Sequence, residues 1–316
     1  MRFLISVLLL LAAGSGLAQE FPARGLRIVV PYAAGGGTDT VARLMAARLT
    51  TAFNQSVVVE NKPGASANIG TEFVAKSPAD GYTILVTAPN FTTSEALFDK
   101  LAWKFEDFVP VIHLVRYEQV LVASTQSQVS SIQAMIAQAK AKPGSLTYGT
   151  PGTASNSHLG IELLKQRAGF GMQHVPYKGS GPLKNDLLGG HVPFGCDGLG
   201  GQMDLIKSGK VKALAVLSPR RSAFAPDIPS LGEMGINDVD ATGWYGALAP
   251  AGTPPAVIAR LHKEFAAALQ LPEIRDRITA IGVEPVGGTS EEFRNYLLGE
   301  RKKWAGVIRT AQIKAD

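Results

Sequence analysis

The sequence predicts an α/β protein of two parallel-sheet lobes joined by two crossover segments. An order of strand, Gly/Ser/Thr-rich loop, helix, strand, helix, strand occurs twice, once before residue 90 and once between 146 and 196. At 316 residues the chain also exceeds the roughly 250–300 at which a single hydrophobic core stops growing. Two further segments, 109–124 and 219–240, belong to neither repeat and are placed to connect them. Two connections between two lobes make a hinge with a cleft beside it.

Leu26-Arg27-Ile28-Val29-Val30 is the first strand, rich in β-branched residues and bounded by Gly25 and Pro31. The loop 32–37 leads into a helix with Val41, Leu44, Met45 and Leu49 on one face, Thr38 as its expected N-cap and Asp39 in its first turn. Ser56-Val57-Val58-Val59-Glu60 is the next strand, closed by Lys62-Pro63-Gly64. A helix follows over about 68–76, and Asp80-Gly81 turns the chain into a strand over 82–87. Such a βαβαβ unit forms a parallel sheet with right-handed crossovers. Residues 109–124 are mostly apolar, without a strong breaker after Pro110, and read as an extended crossing.

The second repeat opens with Leu146-Thr147-Tyr148, the loop 149–155 and a helix carrying Leu159, Leu163 and Leu164. Gln173-His174-Val175-Pro176-Tyr177 is its next strand, then a helix with Leu183, Leu187 and Leu188, then a strand over 191–196. Lys212-Ala213-Leu214-Ala215-Val216-Leu217 adds a strand before the Pro-rich return, Trp244-Tyr245-Gly246-Ala247-Leu248, and helices with Leu261, Phe265 and Leu269. The expected division is a leader over 1–18, a first lobe of 19–119 with 241–316, and a second lobe of 120–240.

The leader is read from Arg2, the apolar run from Phe3 to Ala13 and the small residues Gly14-Ser15-Gly16-Leu17-Ala18. A basic end, an apolar stretch of about 7–15 residues and a small-x-small exit describe a secretory signal peptide cut after Ala18. The run is short of the roughly 20 residues a membrane span needs. Export takes the protein away from ATP and NAD(P)H, against kinase or dehydrogenase chemistry. Cys196 is the only cysteine, so no internal disulfide forms. Formal charge is 31 − 26 = +5, with the basic residues scattered and not interleaved with aromatics. That pattern does not fit nucleic acid, while a mildly positive field gathers small anions.

Open α/β sheets bind at the carboxyl ends of their strands. Those ends carry Tyr32-Ala33-Ala34-Gly35-Gly36-Gly37-Thr38, with Asp39 just beyond, and Gly149-Thr150-Pro151-Gly152-Thr153-Ala154-Ser155. Each loop opens a helix whose first N–H groups lack intrahelical partners and carry partial positive charge. Either loop alone reads as an ordinary strand-to-helix turn. A matching pair in an exported protein reads as two anion sites facing across a cleft, spaced for the ends of a dicarboxylate. Asn68, at the start of the next helix, joins the candidate set.

Sharper chemistry fails on inspection. Gly35-x-Gly37 with Glu60 imitates a dinucleotide fingerprint, but Thr40 stands at the third glycine position. No Gly-Lys-Ser/Thr phosphate loop and no Gly-x-Ser-x-Gly elbow occur, and His113, His158, His174, His191 and His262 have no metal spacing. No cofactor or metal is implied. His158, in a first helical turn, has two readings, a pocket wall or a structural hydrogen bond. Asp197, after the strand 191–196, likewise either accepts from the Gly198-Leu199-Gly200-Gly201 turn or faces a ligand that carries a donor. Cys196 reads as a small buried residue.

Arg27-Ile28-Val29-Val30-Pro31-Tyr32, Gly35-Gly36-x-Thr38-Asp39 and Glu60-Asn61-Lys62-Pro63-Gly64-Ala65 resemble the Bug-type receptors of tripartite tricarboxylate transporters. So do Asn68-Ile69-Gly70-Thr71, Tyr148-Gly149-Thr150-Pro151-Gly152 with His158-Leu159, Val175-Pro176-Tyr177-Lys178-Gly179 and Ala249-Pro250-Ala251-Gly252-Thr253-Pro254. The resemblance spans nearly all of the chain beyond the leader and departs from the family pattern at Pro193 and Cys196. It implies a periplasmic solute-binding protein of the type II fold, acting as a monomer and not an enzyme. It further implies capture of an organic acid through backbone groups and bridging waters, with delivery to the membrane permease subunits of a tripartite transporter. The two loops correspond to that family's ligand pincers. A sensor of the same fold, feeding a signalling partner, is the alternative; an exported hydrolase would need a nucleophile–base pair or a metal.

Overall fold

A computed structural model describes residues 21–315, so the leader expected over 1–18 lies outside the described residues. The chain begins with β1 (Leu26–Val30), α1 (Gly37–Phe53), β2 (Val57–Asn61), α2 (Asn68–Ala75), β3 (Thr83–Thr87) and α3 (Asn90–Leu97). β4 (Phe108–Tyr117) runs into β5 (Gln119–Ser124) with only Glu118 between them. Next come α4 (Ile132–Ala141), β6 (Thr147–Thr150), α5 (Asn156–Ala168), β7 (Gln173–Pro176) and α6 (Ser180–Gly189). β8 (Phe194–Gly198), α7 (Leu199–Lys207) and β9 (Val211–Val216) complete the second repeat. The chain returns through β10 (Gly243–Pro250) to α8 (Pro255–Gln270), α9 (Pro272–Ala280), β11 (Glu284–Gly287) and α10 (Ser290–Thr310). Among the described residues no helix is long and apolar enough to cross a membrane.

Two sheets result, one of six strands in the order β11-β4-β10-β3-β1-β2 and one of five in the order β7-β6-β8-β5-β9. The expected parallel units are present: β1 pairs in parallel with β2 and β3, and β6 with β7 and β8. The sheets as wholes are mixed, because β10 runs antiparallel to β3 and β4, and β5 antiparallel to β8 and β9. The reason lies in the crossings. β1, β2, β3, β6, β7 and β8 run toward the cleft, whereas β5 and β10, each arriving from the other lobe, start at the cleft and run away from it.

Period-2 alternation decides which core each side chain enters. Ile28, Val30, Ile84 and Val86 pack with Met45 and Phe265 on one face of the six-stranded sheet. Val29 and Leu85 pack with Phe91, Trp244 and Phe293 on the other. In the second sheet Leu121 and Ala123 meet Tyr148 and Phe194, and Val120 and Val122 meet Leu183 and Leu187.

Three local readings are corrected. The N-cap of α1 is Gly36 instead of Thr38, because the backbone is already helical at Gly37. The strand expected over 191–196 begins only at Phe194, which puts Asp197 inside β8 rather than after it. The division that assigns all of 241–316 to the first lobe meets a helix belonging to both. Phe293 and Leu297 of α10 sit in the first lobe's core, and Trp304, Val307 and Ile308 sit in the second's. A 21-residue helix is about 31 Å long, enough to reach across.

Candidate functional site

Six helices follow strands that run toward the cleft, and all but α2 start at one cavity of about 480 Å³. Gly37 and Thr38 of α1, Asn90 of α3, Ser155 and Ser157 at α5, Ser180 of α6, and Gly198, Gly200 and Gly201 at α7 stand in its wall. The floor comes from the crossing strands, through Tyr117 at the end of β4, Gln119 at the start of β5 and Tyr245 in β10. Each helix start presents N–H groups with no intrahelical partner, so the cavity collects partial positive charge from several directions.

Among the described residues no Lys or Arg lines this cavity, and Asp197 is the one charged side chain in its wall. Neutral hydroxyls and amides supply the rest. The Tyr245 phenol is pushed up to about 12 by burial, although hydrogen bonds with Thr38 and Tyr117 draw it back. Burial pushes the Tyr32 and Tyr117 phenols up as well, with Tyr245 adding to each. All three tyrosines therefore remain protonated at physiological pH and able to donate. A full cation is expensive to bury without a partner, whereas helix ends and hydroxyls polarise an empty cavity at far lower cost.

The predicted residues divide cleanly in their placement. Tyr32, Gly37, Thr38, Ala154, Ser155 and Asp197 are in the cavity wall. Ala33, Ala34, Gly35 and Gly36 are exposed on the outer side of the first loop and are not in that wall. Asp39 turns inward beneath the loop. Its carboxylate accepts from the Gly35 N–H at 2.8 Å, from Arg43 Nε at 2.9 Å and from Asn61 Nδ2 at 2.9 Å. Despite the opposing effect of burial, these partners hold the carboxyl below the usual aspartate range. Asn68 accepts from Trp103 Nε1 at 3.1 Å, on the side of α2. Gly152 and Thr153 shape the second loop without entering the wall, and the Gly152 carbonyl accepts from the Thr150 hydroxyl at 3.1 Å. His158 is buried behind that loop, where Nδ1 accepts from the Ala154 N–H at 3.0 Å. Of its two readings the structural hydrogen bond is present.

Asp197 makes the turn contact of its first reading and also lines the cavity. Oδ1 accepts from the Gly198 N–H at 2.8 Å and Oδ2 from Gln202 Nε2 at 3.1 Å. Cys196 beside it is fully buried with its thiol pushed well up by burial, so it remains a packed thiol. Among the described residues no group of His, Cys, Asp or Glu is arranged to hold a metal ion.

Sequence reasoning missed the floor and the helix ends of α3 and α6. Tyr117, Gln119 and Tyr245 lie on strands that read simply as apolar crossings, and Asn90 and Thr93 lie past a strand without a glycine loop. A usable signal was present in Gly243 and Gly37. A Cβ at Gly37 would stand 2.6 Å from the Tyr245 hydroxyl, and one at Gly243 would enter the Tyr117 ring. Both glycines make room for the two tyrosines, whose ring centroids are 5.1 Å apart.

Comparison with known proteins agrees with this geometry. BugT of Bordetella pertussis is 36% identical over 322 residues, covering 99% of this chain and 99% of that one. An R. palustris protein solved with adipate superposes with a TM-score of 0.80 at 34% identity, covering 93% of this chain and 99% of that chain. MatC from Rhodopseudomonas palustris with bound malate superposes with a TM-score of 0.77 at 29% identity, covering 91% of this chain and 100% of that chain. The sequence matches the tripartite tricarboxylate transporter family receptor, TctC, over residues 41–313. Since that match runs from within α1 to just past α10, the chain belongs to the receptors of this family, which bind solutes and are not enzymes.

Proposed function

We propose that this protein is an exported periplasmic receptor that holds a small organic acid between its lobes and hands it to the permease subunits of a tripartite transporter. The observation that carries the reading is the meeting of five helix N-termini on a cavity with no cation in its wall. One exposed helix end is worth about 0.3–1 kcal/mol toward an anion, and up to about 2 kcal/mol when partly buried. Micromolar binding requires about 8 kcal/mol. No single loop reaches that figure, so the acid engages ends from both lobes together with the tyrosine and amide donors. Relatives of the same fold hold adipate and malate, which supports a diacid of that size.

Asp197 adds selectivity to this picture. A carboxylate offers about four lone-pair sites, and two are taken by Gly198 and Gln202. The remaining ones favour a ligand bearing a hydroxyl or amine and disfavour a third carboxylate nearby. Titration calorimetry with succinate, malate, adipate and a tricarboxylate tests this reading. Micromolar dissociation constants for diacids are expected, with malate tighter than succinate. A protein that binds none of the four would overturn the assignment.

A further inference from the structure

The second binding loop is fastened from behind by two stacked imidazoles. The rings of His158, on α5, and His174, on β7, lie 3.7 Å apart at 12°. The Thr150 hydroxyl lies 2.7 Å from His174 Nε2 and 3.1 Å from the Gly152 carbonyl, and so links that ring to the loop. At the other end of the loop the Ala154 N–H is 3.0 Å from His158 Nδ1. A backbone N–H can only donate, so Nδ1 carries no proton. The neutral ring then bears its proton on Nε2, which lies 3.8 Å from Glu162 Oε1.

The bond to His158 holds an awkward backbone. Ala154 sits at φ 57°, in the left-handed region that an alanine seldom adopts. Immediately after it, Ser155 caps α5 by accepting from the His158 N–H at 3.2 Å, and both Ala154 and Ser155 face the cavity. We infer that His158 is a positioning residue for ligand capture: its neutral Nδ1 fixes Ala154 and thereby aims the cap and first turn of α5 at the bound acid. The inference rests on the receptor reading above but concerns a residue outside the cavity wall.

A charge dependence follows. An imidazolium has two N–H groups and no acceptor, so protonated His158 would set an N–H against the Ala154 N–H. Among the groups that face the pair are Glu162 and Lys165 on α5, Tyr148 on β6 and, behind Tyr148, Cys196 on β8. Glu162 Oε1 already accepts from Tyr148 Oη at 2.5 Å and Lys165 Nζ at 2.6 Å. Burial pushes the Tyr148 phenol and the Cys196 thiol far up, so neither titrates near neutrality. Two rings in van der Waals contact also resist sharing two positive charges. The loop is set for binding in the neutral state, so protonation of His158 weakens affinity.

Two variants separate positioning from bulk. His158→Asn keeps an acceptor near the δ position and cannot titrate, whereas His158→Leu keeps the bulk and has no acceptor. Calorimetry with malate at about pH 8 should show the Leu variant roughly tenfold weaker than wild type, the worth of one unsatisfied buried donor, with the Asn variant close to wild type. Toward about pH 5.5 wild type should lose affinity and the Asn variant should not, any ligand titration being common to both. Equal binding by wild type and the Leu variant, or equal acid loss in wild type and the Asn variant, overturns the inference. Amide exchange of Ala154 in the ligand-free proteins decides it independently of the acid. Protection in wild type and Asn but not in Leu supports the inference, and identical exchange in all three rejects it. If wild type binds no acid, the receptor reading fails, while amide exchange still supports or rejects the positioning role.

Discussion

Asp39 shows how a carboxylate shapes a binding loop by facing away from the cavity. It sits in the first turn of α1, where negative charge is favoured, and ties the Gly35 N–H, Arg43 and Asn61 to one point. The glycine-rich loop gets its shape from this knot, which leaves the N–H groups at Gly37 and Thr38 free to face the cavity. Its carboxyl is held below the unfolded aspartate value of about 3.9. A depressed folded value means that the stabilisation is present above the unfolded value and disappears as pH falls through the folded one. Asp39→Asn should therefore cost about 1–3 kcal/mol at neutral pH, and wild type and variant should converge as pH falls through the lowered folded value. Urea unfolding followed from pH 7 downward checks this, and a constant gap down to the acid limit would contradict it.

At the scale of elements, the strand–loop–helix units were legible in the sequence and the strands that cross between lobes were only half legible. The 32–38 and 149–155 loops announce themselves by glycine, serine and threonine at the carboxyl ends of β-branched strands, which is local chemistry. The direction of β5 and β10 is not local. It depends on the side from which the chain enters each sheet, and so their floor residues Tyr117, Gln119 and Tyr245 carried no recognisable pattern. Asp39 was placed at its loop without the inward turn of its side chain, and His158 was left with two readings, since burial of a polar side chain under a loop leaves no mark in spacing. The C-terminal helix was the other miss, a single apolar stripe serving two cores. Trp304 is fully buried in the second core, donating to Glu300 at 2.8 Å, while Phe293 packs edge-on against Trp244 in the first. Trp304→Ala should remove about 3–5 kcal/mol of stability and speed amide exchange in α5 more than in α1. A loss under about 1 kcal/mol would show that this end of α10 holds little.

For the molecule as a whole, two lobes are joined by strands at Glu118 and through β10 and bridged by α10, and a bend falls at these three crossings. In this structure they touch at Gly200 of α7 and Gly282, between α9 and β11. A Cβ at Gly200 would lie 2.6 Å from the Ile281 carbonyl and 2.9 Å from the Gly282 Cα. Only glycine allows that approach, and it closes one side of the cavity. Gly200→Val should hold the lobes apart. Small-angle scattering with saturating malate should show wild type shrinking and the variant staying extended. A wild-type profile unchanged by a malate that calorimetry shows to be bound would remove closure from the mechanism.

The floor of the cavity and the bend of the molecule share the same strands, and mechanics gives that coincidence a meaning. Tyr117, Gln119 and Tyr245 lie at the fulcrum, so a molecule resting on them alone has no lever arm with which to turn one lobe toward the other. The starts of α1, α5, α6 and α7 stand away from that axis, and a pull between them acts at a distance. Two acids of equal affinity can then differ in torque, the longer one drawing the lobes together and the shorter one sitting at the pivot without moving them. A membrane partner that reads the angle between lobes would accept the first and ignore the second.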